Sequence, residues 1–157
     1  MGAIRLLLFT GARRGEITGL RWEDVRSDRL CLPDSKTGPK TVWLNAPAVT
    51  VLATLQGNST QGLVFPHEQC DRSINLAPEW LRERRSAAIP DVRLHDLRHS
   101  FASVAIAASI PLTTIGKLLG HALPETTARY AHLADDMIAD SAERVCSGLA
   151  RALGGQA

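Results

Sequence analysis

The sequence predicts an α+β domain, mainly α-helical, with a small antiparallel β-hairpin at one edge. Three observations carry that expectation. Apolar residues recur at helical spacing along most of the chain, in stretches bounded by Gly, Pro or polar runs. Only around residues 29–44 do two short strand-like runs flank a turn-rich segment, P-D-S-K-T-G-P-K. A length of 157 residues is one ordinary domain, long enough to bury a core.

Composition sets the class. Hydrophobic residues make up 45% and charged residues 22%, as in a globular chain and unlike a disordered one. A net charge of +2 is too small to announce a nucleic-acid partner, although the positive excess lies in residues 1–100. Only three of the 18 basic residues are lysine. Arginine richness suits bidentate phosphate contacts, and codon bias explains it equally well. Cys31, Cys70 and Cys146 are too few and too scattered for a disulfide framework or a zinc knot, so reduced thiols are expected. No apolar run approaches the roughly 20 residues of a membrane span. Residues 5–9 are too short for a signal peptide, so a cytoplasmic location is expected.

In chain order, residues 4–9 read as a core helix broken by Thr10 and Gly11. Ile17, Leu20 and Trp22 mark a short amphipathic helix over 13–22. Arg13 opens it, where backbone N–H groups favour an anion, and Glu16 is placed to hold Arg13 or a nearby histidine. Strands over 29–32 and 41–44 flank the turn that bears Lys36, while Lys40 reads as a solvated turn lysine. A helix over 47–55 opens with Pro47 in its first turn. His67 and Cys70 lack the other half of a metal site and read as loop residues. The helix over 76–88 carries R-E-R-R, ordinarily a solvated face. Arg82 and Arg85, with Lys40, are the candidates there for contact with a nucleic-acid backbone.

Chemistry concentrates between His95 and Tyr130. His95, Arg98 and His99 fall at i, i+3 and i+4 and share one helix face. That helix runs on to 108, Ser109-Ile110-Pro111 ends it, and 112–119 forms the next. Pro124 is placed to open a later helix, helped by Glu125, with Tyr130 about two turns along it. A guanidinium fork suits phosphate oxygens, imidazole moves protons near neutral pH, and a phenol is a covalent nucleophile. Tyr130 is the only tyrosine. A tail to 153, apolar at Met137, Ile138, Val145 and Leu149, suits packing on its own domain or on another protomer.

These residues resemble the tyrosine recombinase (phage integrase) family. The family's second box reads H-x-L-R-H, then L-G-H, then a tyrosine nine residues on. Here those are His95, Arg98, His99, His121 and Tyr130. The first box, T-G-x-R-x-G-E followed by L-x-W-x-D, is matched by Thr10, Gly11, Arg13, Gly15, Glu16, Leu20, Trp22 and Asp24. S-K-T-G-P-K at 35–40 is similar to the family's lysine-bearing hairpin, and Trp43 stands where a proline is common, a change expected to alter packing alone. The resemblance implies that 1–157 is a tyrosine recombinase catalytic domain of the DNA breaking–rejoining fold. The helical core-binding domain that precedes it in relatives is expected to be absent from these residues.

The resemblance also implies an activity: site-specific DNA recombination or integration for a bacterial or phage mobile element, hence a nucleoid-associated protein. Tyr130 would join the 3′ phosphate and free a 5′ hydroxyl. Arg13 and Arg98 would grip the non-bridging oxygens and His121 would add a hydrogen bond. His95 is the expected general base. Lys36 is the expected general acid, a task that arginine's high pKa makes unsuitable for a guanidinium. His99 is assigned to structure, with Glu16 as the side chain it braces. The exchanged phosphodiester keeps its bond energy, so neither ATP nor any other cofactor is expected. Guanidinium groups replace the charge that a metal supplies elsewhere, so no metal is expected. The implied partners are double-stranded DNA and further protomers, four on two sites, with no membrane.

Other classes fit less well. H-D-L-R-H spaces its histidines like the H-E-x-x-H zinc motif, but lacks the Glu and places Arg98 against the metal. A non-enzymatic helix-turn-helix module fits the apolar spacing of 104–119, yet leaves Arg13, Lys36 and Tyr130 without purpose. A type IB topoisomerase shares the covalent chemistry and is separated only by the integrase character of the boxes.

Overall fold

The structure, a computed structural model, describes residues 1–35, 38–57, 59–67, 70–121, 127, 130 and 136–152. Among them are seven α-helices, one 3₁₀ turn and two two-stranded antiparallel sheets. Helix α1 (Gly2–Thr10) buries Ala3, Ile4, Leu6, Leu7 and Thr10, more than one narrow stripe, because three later helices lie against it. It stops at Gly11, whose φ of 62° is left-handed and whose N–H closes on the Leu7 carbonyl at 3.0 Å.

Helix α2 (Arg14–Thr18) is shorter than the 13–22 expected. From Leu20 onward the backbone finds better partners elsewhere: Val64 donates to Leu20 and Trp22 donates to Gly62. The helix is given up for those bonds, and Trp22–Asp24 forms a 3₁₀ turn.

Strands β1 (Arg29–Leu32) and β2 (Lys40–Trp43) pair antiparallel, Arg29 opposite Trp43 and Leu32 opposite Lys40. Side chains alternate across a strand, so Lys40 shares the inner face with Val42, which is buried. Trp43 faces out under the Arg29 guanidinium, 5.4 Å from its ring centre. Helix α3 (Ala46–Gln56) is capped by Asn45, which accepts from the Ala48 N–H and donates to the Phe9 carbonyl. His67 and Cys70, expected in a loop, lie instead in a second hairpin, β3 (Pro66–His67) with β4 (Cys70–Ser73).

Helix α4 (Ala77–Ser86) is pinned by Trp80, whose indole N–H donates to the Val92 carbonyl. Helices α5 (Asp96–Ala107) and α6 (Leu112–Leu119) follow, and α7 (Asp136–Ala152) lies beyond Tyr130. Pro124 and Glu125 lie outside the described residues.

Two apolar cores result. One joins α1, α2, both strands of the first hairpin and α3 around Leu6, Ile17, Leu20, Leu30 and Val42. The other joins α5 and α6 around Ala102, Ile106, Ile115 and Leu119, and includes Tyr130. On α7, Val145 and Leu149 remain exposed. No described helix is long and apolar enough to cross a membrane.

Candidate active site

Arg98 sits where the two cores meet, only 5% exposed. One Nη donates to the Gly11 carbonyl at 2.6 Å and the other to the Leu119 carbonyl at 2.8 Å. Both acceptors lie at helix C-termini, where last-turn carbonyls lack an intrahelical donor and the dipole favours a cation. Burial pulls the Arg98 pKa down, and the charge of Arg13 acts in the same direction; Glu16 and Tyr130 pull it back up. Arg13, Glu16 and Tyr130 therefore all lie within electrostatic reach of this guanidinium. Its remaining N–H donors are available to an anion.

Arg13 precedes α2, and its side chain folds back. Nη1 meets Glu16 Oε1 at 3.0 Å and Nη2 reaches the Gly120 carbonyl at 3.4 Å. The Arg13 backbone N–H donates to Glu16 Oε2 at 2.8 Å. That same oxygen receives the Lys40 ammonium at 2.9 Å, with both side chains 6% exposed. Burial pushes the Glu16 pKa up, but the Lys40 and Arg13 hydrogen bonds more than offset it, so the carboxyl is held below its usual value. Burial also lowers Lys40, with Glu16 opposing. Lys40 is thus a correction. It is a buried ion-pair partner of Glu16, because the strand begins at residue 40 and turns its side chain inward. It is not a solvated turn lysine.

Gly120 makes this packing feasible. Its φ is 67°, and a Cβ there would stand 2.5 Å from Lys40 Cε. Gly11 is equally constrained, since a Cβ would lie 2.7 Å from the Phe101 ring.

The phenol of Tyr130, 6% exposed, shares a 2.6 Å hydrogen bond with Nδ1 of His99. This too is a correction: His99 meets the tyrosine, while Glu16 is held by Arg13 and Lys40. His95 is the N-cap of α5 and is exposed, its ring set edge-on to that of His99 at 5.2 Å. Burial lowers its pKa, and the charges of His99 and Arg98 lower it further. His121 follows directly on the two carbonyls that the arginines hold, and its Nδ1 pairs with Thr127 Oγ1 at 2.8 Å. Gly116 leaves room for that hydroxyl, because a Cβ there would approach it to 2.9 Å.

Lys36 lies outside the described residues. On either side of it, the Gly38 N–H donates to the Ser35 carbonyl at 2.9 Å. Arg82 is exposed and paired with its neighbour Glu83, and Arg85 is exposed. A different set of arginines converges nearby. Arg14, Arg84 and Arg93 line a recess of about 370 Å³ floored by Ala77, Trp80, Leu81 and Leu94. Arg84 Nε is buried there with no hydrogen-bond partner among the described residues. Neither this recess nor the His99–Tyr130 contact is visible in sequence spacing, since both join residues far apart in the chain. Lys40 did carry a signal, in its two-residue offset from Val42.

This arrangement of helices recurs in solved structures. The catalytic domain of bacteriophage HP1 integrase aligns with a TM-score of 0.66 over 90% of this chain and 79% of that one, at 24% identity. The Tn1549 transposon integrase, solved with circular intermediate DNA, aligns at 0.74 over 92% of this chain and 59% of that one, at 17% identity. The fold is that of a tyrosine recombinase catalytic domain. Residues 1–137 match the phage integrase family, and the chain belongs to it. Relatives include the integrase of Escherichia phage P2, 31% identical over 87% of this chain and 38% of its own length. A tyrosine recombinase of Thermosipho africanus is 30% identical over 91% of this chain and 53% of its own. The chain thus spans about half or less of the length of these curated relatives.

Proposed function

We propose that this chain is the catalytic part of a site-specific DNA recombinase that breaks and rejoins strands through a covalent 3′-phosphotyrosyl intermediate. The observation that carries this reading is the convergence of two guanidinium groups, Arg13 and Arg98, on the ends of α1 and α6, with Arg98 within electrostatic reach of the one phenol. Membership of the phage integrase family supports it, as does the XerH recombinase, solved bound to its difH substrate before and after cleavage.

In the proposed reaction Tyr130 Oη attacks phosphorus and the bond to the 5′ oxygen breaks. Negative charge builds on the non-bridging oxygens, where Arg13 and Arg98 meet it with donors already in place. Their carbonyl and carboxylate partners hold both guanidinium groups still, so little reorganisation is needed as the charge develops. His121, braced by Thr127, supplies a further hydrogen bond. Lys36 is the proposed acid for the departing oxygen. Double-stranded DNA is the proposed substrate, and the open Val145 and Leu149 of α7 support contact with another protomer. A purely DNA-binding module would not require an arginine buried against two carbonyls beside a buried phenol.

The test is a nicked duplex, selected from a randomised pool as the one the parent chain cleaves best. It should trap an adduct that survives denaturing electrophoresis and forms in the presence of chelator. Tyr130→Phe should form none, and Arg98→Ala should form it on the order of a hundredfold more slowly or worse. Adduct formation by Tyr130→Phe would refute the assignment of the nucleophile.

A further inference from the structure

We propose that His99 is a catalytic residue, the base that takes the phenolic proton of Tyr130. This rests on the recombinase reading above and assigns a role within that same site. The geometry is direct: Nδ1 of His99 lies 2.6 Å from the phenol oxygen, hydrogen-bond distance for a proton passing between them. In the tautomer with its proton on Nε2, Nδ1 presents a lone pair to the phenolic O–H.

His95 has the expected residue type but a different position. It caps α5 at the surface, and its ring packs edge-on against His99, so it forms an outer neighbour through which a proton can leave to solvent. Arg98 faces the other side of the exchange, where a developing phenolate would feel its charge. Asp96, in the first turn of α5, also lies within electrostatic reach of His99. Among the described residues, the titratable groups that interact with His99 are His95, Asp96 and Tyr130, and Arg98 is its neighbour in the chain. In the balanced step the O–H bond of Tyr130 breaks and its proton goes to Nδ1. The phenol oxygen then bonds to phosphorus as the bond to the 5′ oxygen breaks, and that oxygen takes a proton from the general acid. Religation reverses each transfer and returns the proton to Tyr130.

His99→Asn tests this, because the asparagine amide sits near the place of Nδ1 and still hydrogen-bonds, yet accepts no proton near neutral pH. On the nicked duplex at pH 7 it should form adduct on the order of a hundred- to a thousandfold more slowly than the parent. Its deficit should shrink roughly tenfold per pH unit as hydroxide replaces the lost base. Duplex affinity and the thermal unfolding midpoint should stay close to the parent's. His99→Ala should regain rate with added imidazole, which a merely structural role would not allow. His95→Asn should lose less and show no such pH slope. A His99→Asn rate within about threefold of the parent, or a deficit independent of pH, overturns the proposal. Absence of adduct from the parent chain itself would instead remove the recombinase reading, and this assignment with it.

Discussion

At the scale of single residues, Glu16 carries an unusual load. One carboxylate accepts from the Arg13 backbone, the Arg13 guanidinium and the Lys40 ammonium, almost out of contact with water. A buried pair adds little net stability when intact, but removing one partner strands the other charge. Lys40→Met keeps the aliphatic stem against Gly120 and deletes the ammonium. It should lower unfolding stability by about 3 kcal/mol in urea titration. The pH dependence follows from the sign of the Glu16 shift. The folded pKa is depressed, so the stabilisation is complete above the unfolded value of 4.5 and is lost as pH falls through the lower folded value. The urea midpoint of the parent should therefore drop below about pH 4.5, and that of Glu16→Gln should drop less over the same window.

At the scale of elements, α4 presents two kinds of arginine. Arg82 points to solvent and is partnered by Glu83, whereas Arg84 turns into the recess shared with Arg14 and Arg93. Among the described residues no carboxylate lines that recess, although Asp96 holds Arg93 from outside it. A buried Nε without a partner costs free energy that an incoming acceptor would recover, so a backbone phosphate is better matched here than at Arg82. Arg84→Gln should reduce the salt slope of duplex binding by about 1 and weaken all sequences alike. Arg82→Gln should change it far less. Equal slopes for the two variants, measured by fluorescence anisotropy across a salt series, would place the backbone elsewhere.

At the scale of the whole molecule, Arg98 is a structural tie as well as a chemical group. Its guanidinium joins the end of α1, in the first core, to the end of α6, in the second. Arg98→Ala should leave two carbonyls short of a donor and lower stability by about 2–4 kcal/mol in addition to its kinetic effect. Hydrogen exchange should show the last turn of α6 opening more readily in that variant. Adduct assays on Arg98→Ala are best made well below its unfolding midpoint, where lost charge and lost structure separate.

How much of this was legible beforehand differs by feature. Periodicity located α6 at both ends and most helices within a few residues, because an apolar face must repeat with the helical turn. Residue type and spacing singled out Arg13, His95, Arg98, His121 and Tyr130 as candidates, since phosphate chemistry draws on few side chains. The second hairpin escaped because strands of two and four residues carry almost no pattern. The direction of Lys40 depended on a one-residue register, which pleating turns into a choice between core and solvent. The imidazole that meets the phenol lies 31 residues away from it in the chain. Sequence alone determined the family, the helical character and the inventory of reactive groups, all of which are local properties. Only the tertiary structure decided who pairs with whom, because hydrogen bonds and burial depend on distances that chain spacing does not encode.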